Sequence, residues 1–166
     1  MAVENKWVSS LVEADKKDNA AKVAGGKILC LANTFEVAAA DDDGSVYKLA
    51  KLPANAIPVK AEIHNDVITA GTDYDLGLLR EDEVVQDANI FADALNMSAA
   101  ASISSPKDGL KDLGGGDPIA NLGKKIWELL GLTVTNKREG YILALTANTV
   151  GSVAGTISYK FYYIIG

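Results

Sequence analysis

The sequence predicts an all-β protein, a β-sandwich of jelly-roll character. One short covering helix is expected at about residues 118–130, together with an N-terminal arm. Three observations carry this. Roughly eight short segments have the period-two apolar pattern, or the short apolar run, of a strand. Turn residues separate them. One stretch alone shows a firm helical stripe flanked by start and stop signals. The chain has 166 residues, enough for one domain with a real core, and 48% are hydrophobic and 23% charged, which argues against disorder throughout. The expected division is an arm over 1–25 and a single sandwich domain over 26–166.

In the arm, Trp7, Val8, Leu11 and Val12 fall at the spacing of a short amphipathic helix. Asp15, Lys16, Lys17, Asp18 and Asn19 then end the apolar pattern. Two readings stay open, a segment that folds back on its own domain and one that docks on a neighbouring subunit. Gly25-Gly26 closes it, and Ile28, Leu29, Cys30 and Leu31 read as a buried strand. Residues 34–40 form a further extended piece. Asp41, Asp42, Asp43 and Gly44 form an acidic turn. An EF-hand alignment on Gly44 puts Ala39 and Ala50 at ligand positions, so a hairpin turn is expected instead.

Residues 46–49 follow as a strand. Pro53 and Pro58 bracket a stretch expected to be an ordered loop. Val59, Ala61 and Ile63 alternate with Lys60, Glu62 and His64, which puts the only histidine on a polar, solvent-facing side. Residues 67–69 suggest a short strand, and 70–73 a reversal. Tyr74, Leu76 and Leu78 alternate with Asp75 and Gly77. Arg80, Glu81, Asp82 and Glu83 make a polar hairpin tip, with Val84-Val85 returning. Ile90, Phe91, Ala94 and Leu95 have helical spacing, so a short helix is expected over 87–95.

Residues 96–118 are rich in Ala, Ser and Gly and read as a surface excursion. Asp117 is placed to cap the covering helix, Pro118 to start it and Gly131 to end it. Its stripe is Ile119, Leu122, Ile126, Leu129 and Leu130, with Trp127 beside it. Residues 136–140 form a turn. Residues 141–146 are a near-continuous apolar run, as for a central strand covered on both faces. Ile157, Tyr159 and Phe161 alternate with Ser158 and Lys160, and Tyr162, Tyr163, Ile164 and Ile165 end the chain. Such a terminus must be held in a sheet or an interface.

The chemistry expected from these residues is sparse. A net charge of −6 disfavours phosphate backbones, and Lys16-Lys17 and Lys124-Lys125 are isolated surface pairs, so no nucleic-acid partner is expected. No apolar run spans a bilayer, and the N-terminus lacks a basic, then apolar, leader pattern. Cys30 lies in an apolar run and reads as a small buried hydrophobe, with nothing tying it to His64 as a base. Gly114, Gly115 and Gly116 lack the lysine and hydroxyl spacing of a phosphate loop, and Gly151-Ser152 lacks that of a nucleophile elbow. No catalytic, cofactor or metal residue is assigned, and no enzyme activity is expected.

A resemblance supplies more. Residues 40–47, 55–59, 69–78 and 90–95 are similar to small virion proteins of tailed bacteriophages. In that group a "GTDYDLGLY"-like strand and an "LTANTVGTAAGTIS"-like C-terminal segment recur, matched here by residues 71–79 and 145–158. The resemblance covers about residues 40–165. It implies a capsid cement or decoration protein, a jelly roll on the outer surface of the virion head, made in the host cytoplasm. The implied partner is the major capsid protein, and the expected form is a homo-oligomer, a trimer at a three-fold position. The alternative is a carbohydrate- or receptor-binding module of a phage fibre, with Trp7, Trp127, Tyr47, Tyr162 and Tyr163 as a stacking platform.

Overall fold

In a computed structural model, residues 5–7, 27–115, 118–133 and 139–166 are described. The strands are β1 (Asn5–Trp7), β2 (Leu29–Val37), β3 (Ser45–Pro53), β4 (Ala56–Asn65), β5 (Asp73–Arg80), β6 (Val85–Leu95), β7 (Lys107–Asp108), β8 (Gly140–Thr149) and β9 (Gly155–Ile165). Two one-turn helices, α1 (Pro118–Asn121) and α2 (Ile126–Leu129), lie between β7 and β8. One sheet has the order β1-β3-β8-β5-β6, the other β2-β9-β4-β7. All pairings are antiparallel except that of β1 with β3. Most connections cross from one sheet to the other, and this gives the sandwich its jelly-roll character.

The alternation seen in the sequence sorts side chains between core and solvent. In β9, Ile157, Tyr159, Phe161 and Tyr163 point inward, while Thr156, Ser158, Lys160 and Tyr162 stay half-exposed. β9 lies between β2 and β4, so the greasy C-terminus is held in a sheet. β8 lies between β3 and β5, and residues 141–145 are buried throughout, as a central strand requires. Aromatic contacts join the two layers. Phe35 meets Tyr47 at 5.1 Å and Phe91 meets Phe161 at 5.3 Å between ring centroids. The Tyr159 hydroxyl crosses the sandwich to donate to the Leu49 carbonyl at 2.8 Å.

Several expectations are corrected. Residues 87–95 belong to strand β6, not a helix. Against β5, the register runs Leu76↔Ala92 and then Leu78↔Asp87, so β6 carries extra residues. Each bulge resets the period of two, and the resulting spacing of Ile90, Phe91 and Leu95 mimics a helix. The covering helix is broken in two. Gly123 (φ +83°) sits between the turns, and Ile119 and Leu122 are exposed rather than part of a buried stripe. Pro118 does open α1, and Gly131 (φ +67°) follows α2 as a left-handed stop. Asp117 lies outside the described residues, as do 136–138 of the turn expected over 136–140.

Pro53 and Pro58 lie within strands β3 and β4, joined by a turn at Ala54-Asn55. β4 tolerates Pro58 because β7 pairs only at Glu62 and Ile63 and a register shift follows the proline. Residues 67–69 are a loop. The reversal at 70–73 leads not to a neighbouring strand but across the sandwich, since β4 and β5 lie in different sheets. The Asp41–Gly44 turn is likewise a corner between sheets rather than a hairpin, because β2 and β3 do not pair. Residues 81–84 do form the hairpin tip between β5 and β6. In the arm, Trp7 lies in β1, paired with the chain's own β3, while Val8, Leu11 and Val12 lie outside the described residues.

Candidate functional site

One end of the sandwich gathers the connections 38–44, 66–72, 96–106 and 150–154. Backbone bonds knit them together. Ile68 N–H donates to Met97 O (3.0 Å), Ser152 N–H to Thr69 O (2.9 Å), and Asn65 and Ala101 exchange bonds in both directions. The Asn65 amide donates to the Met97 and Ala99 carbonyls at 2.9 and 3.2 Å. The acidic corner is part of this knot. Buried Asp41 accepts from the Tyr47 hydroxyl (2.7 Å) and Ala38 N–H (3.1 Å), and Asp43 accepts from Val150 N–H (2.9 Å). Its carboxylates thus engage the chain's own donors, as turn chemistry predicts. Val67, Ile103 and Val153 stand exposed on this end.

Beside it, the carboxylates of Asp73, Asp75 and Asp93 lie within 4.8 Å of one another. Asp75 is buried, and desolvation pushes its carboxyl above the usual range. Hydrogen bonds from Ala94 N–H (3.0 Å) and the Asn148 amide (2.7 Å) oppose that shift. A hydrogen bond with Asp93 and the charge of Asp73 add to it. An oxygen-only set is the type that hard cations choose. Here both Asp75 oxygens already accept N–H donors, so this carboxylate is tied into the chain's own hydrogen bonds. The Asp73/Asp75 half was visible as a period-two pair. Asp93 was hidden by the helical reading of β6.

A groove of about 400 Å³ opens at the β4 edge, lined by Val59, Lys60, Pro106, Leu110, Leu113 and Leu122 among others. Lys60 and Glu62 pair at 2.7 Å beside it; the pairing raises the lysine's pKa and lowers the glutamate's.

The singled-out residues do not converge. Cys30 is exposed, correcting the buried reading, because β2 is a sheet edge whose even-numbered residues face outward. His64 is half-buried rather than solvent-facing. Its Nδ1 meets the Ser102 carbonyl at 3.1 Å, since the 96–106 excursion folds over it. Cys30 is level with Tyr162 and Lys60, whereas His64 is level with Ser158 and Thr34. The two are therefore two strands and four residues apart, roughly 10 Å across and 13 Å along. They cannot form a nucleophile–base pair. Of the aromatic platform, Tyr47 and Tyr163 are in the core and Trp127 packs against it, while Tyr162 stands on the outer face of β9. Trp7's side chain lies outside the described residues.

Comparison with solved structures gives the fold a context. The chain is similar to one in the capsid of Ralstonia phage GP4, with 15% identity and a TM-score of 0.58 over 97% of this chain and 99% of that one. It is also similar to a chain of the cyanophage Pam1 capsid asymmetric unit, with 14% identity and a TM-score of 0.56 over 86% of this chain and 88% of that one. Both likenesses are of fold. No protein-family model and no curated protein matches the sequence.

Proposed function

We propose that this chain is a non-enzymatic structural virion protein that binds the outside of a phage head and cements neighbouring major capsid subunits. The observation that carries the reading is the end-to-end likeness, 97% of this chain against 99% of the other, to a chain of a phage capsid. The sequence resemblance over about residues 40–165 points the same way. The scattered placement of Cys30 and His64 fits a protein that works by contact.

The mechanism is surface burial. Stable interfaces cover about 1,200–2,000 Å² in total. The loop-rich end is the face we assign to the shell. Val67, Ile103 and Val153 are apolar knobs there, on connections that backbone bonds hold rigid, so little ordering entropy opposes docking. Association of copies into a trimer at a three-fold position belongs to the same proposal.

The test is co-sedimentation of purified protein with capsid shells that lack it. Saturable binding is expected, and it should weaken more than tenfold for the triple variant Val67→Asp, Ile103→Asp, Val153→Asp at an unchanged melting temperature. Absence of binding by the wild-type protein overturns the cement reading. Full binding by the triple variant overturns the assignment of the face.

A further inference from the structure

We propose that the surface which meets the loop-rich end is basic, with arginine side chains set among apolar ones. The inference rests on the assignment of that end to the shell, and it adds the chemistry the shell must present there. The connections 38–44, 66–72, 96–106 and 150–154 contain Asp41, Asp42, Asp43 and Asp66 but no lysine or arginine, although the chain has 16 such bases. Lys107 follows the third connection, and the Ala99 carbonyl holds its ammonium at 2.9 Å. That single charge does not balance the four carboxylates.

The acids are interleaved with the apolar knobs. Asp66 directly precedes Val67, and both are exposed. The bond from Val150 N–H to Asp43 sets the acidic corner against the connection that carries Val153. The bond from Ser152 N–H to Thr69 O joins that connection in turn to 66–72. Asp41 is buried in the corner, whereas Asp42 is half-exposed and Asp43 and Asp66 are exposed. Among the described residues, the ion pairs run from Lys48, Lys60, Arg80 and Lys111, and none reaches Asp42, Asp43 or Asp66. The other exposed side chains of these connections are mainly Ala, Ser and Thr, and none is cationic.

This arrangement restricts what can dock. A partner that covers Val67 also takes water from Asp66, and one that covers Val153 takes it from the acidic corner. A carboxylate deprived of water without a counter-charge costs more than covering a valine returns. An apolar or acidic partner is therefore disfavoured, while a basic one turns the same carboxylates into attraction and fixes its register on them. Arginine suits the place better than lysine. Its guanidinium is the more weakly hydrated cation, and its planar fork gives a carboxylate two N–H donors at once.

The test repeats the shell co-sedimentation at two salt concentrations. Charge screening shortens from about 10 Å at 0.1 M salt to about 3 Å at 1 M. Wild-type affinity should fall at least tenfold between them. The double variant Asp42→Asn, Asp66→Asn should lose at least tenfold at 0.1 M and change less than threefold on going to 1 M. Asparagine keeps the oxygen that accepts from Asp43 N–H, so the corner stays folded, and a thermal melt checks this. The control is Glu81→Gln with Glu139→Gln, the same change of charge on exposed residues at the opposite end of the sandwich. It should bind as wild type does. Binding that is indifferent to salt, or a double variant that binds as wild type, overturns the basic partner and leaves the shell reading standing. An equal loss in the control overturns the placement at this end, because net charge alone then accounts for it. No wild-type binding at either salt concentration overturns the shell reading itself, and this inference with it.

Discussion

Gly77→Ala is the substitution this fold should tolerate least. Gly77 lies on the outer side of β5, where the extra residues of β6 cross over it. A Cβ at that position would stand 2.2 Å from the carbonyl carbon and oxygen of Ala88 and 2.3 Å from the Asp87 oxygen. Ordinary contact needs about 3.5 Å, so the β6 backbone would have to retreat by roughly 1.3 Å. The obstacle is main chain, which cannot rotate aside like a flexible side chain. Overpacking of this kind costs about 1–3 kcal/mol, and a lost strand hydrogen bond adds about 1. A total near 3 kcal/mol, with a urea dependence of about 2 kcal/mol per molar, lowers the denaturation midpoint by roughly 1.5 M. Gly44→Ala is the control. It has φ +86° and open space around it, so only the left-handed penalty of about 1–2 kcal/mol applies. If Gly77→Ala unfolds at a midpoint equal to or above that of Gly44→Ala, the close crossing of β6 over β5 is wrong.

Three further outcomes follow from the same geometry. Tyr47→Phe removes a donor from buried Asp41 and should cost about 1–3 kcal/mol in a thermal or urea melt; an unchanged melt contradicts the corner as drawn. Tyr74→Phe loses the 2.5 Å bond to the Val150 carbonyl and should cost about 1 kcal/mol, with faster amide exchange confined to the 150–154 loop. Asp75 supplies a pH dependence. Its folded-state pKa is raised, so the native protein holds that proton more tightly than the unfolded chain, whose carboxyl titrates near 3.9. Its contribution is full below that value and is lost as pH rises through the folded pKa. Asp75→Asn should therefore gain stability relative to wild type between pH 4 and pH 7, and a difference that stays flat or reverses contradicts the assignment.

The architecture was legible in the sequence where a strand keeps a clean period of two or a continuous apolar run. β9 shows the alternation directly, the continuous run at 141–145 marked the doubly covered strand β8, and in β5 the apparent polar face of Asp75 and Gly77 is buried as well. What the sequence hid lies where that period breaks. In β6, bulges shifted Ile90, Phe91 and Leu95 into helical spacing. Around Gly123, a left-handed residue divided a continuous stripe. Sheet membership was also hidden, since a tight turn such as Ala54-Asn55 reads the same whether it joins paired strands or crosses the sandwich. The site followed the same rule. The turn chemistry of Asp41, Asp42 and Asp43 was readable locally. The Asp73–Asp75–Asp93 knot depends on a β5–β6 register that no local pattern reports. The exposure of Cys30 follows from β2 being an edge, which is a property of the whole sheet.

The most direct test of the central claim is a reconstruction of a virion that carries this protein. Density for the sandwich is expected on the outer surface of the head, over a boundary between major capsid subunits, with Val67, Ile103 and Val153 turned toward the shell. Density inside the head, or on a tail or fibre with none on the shell, would contradict it.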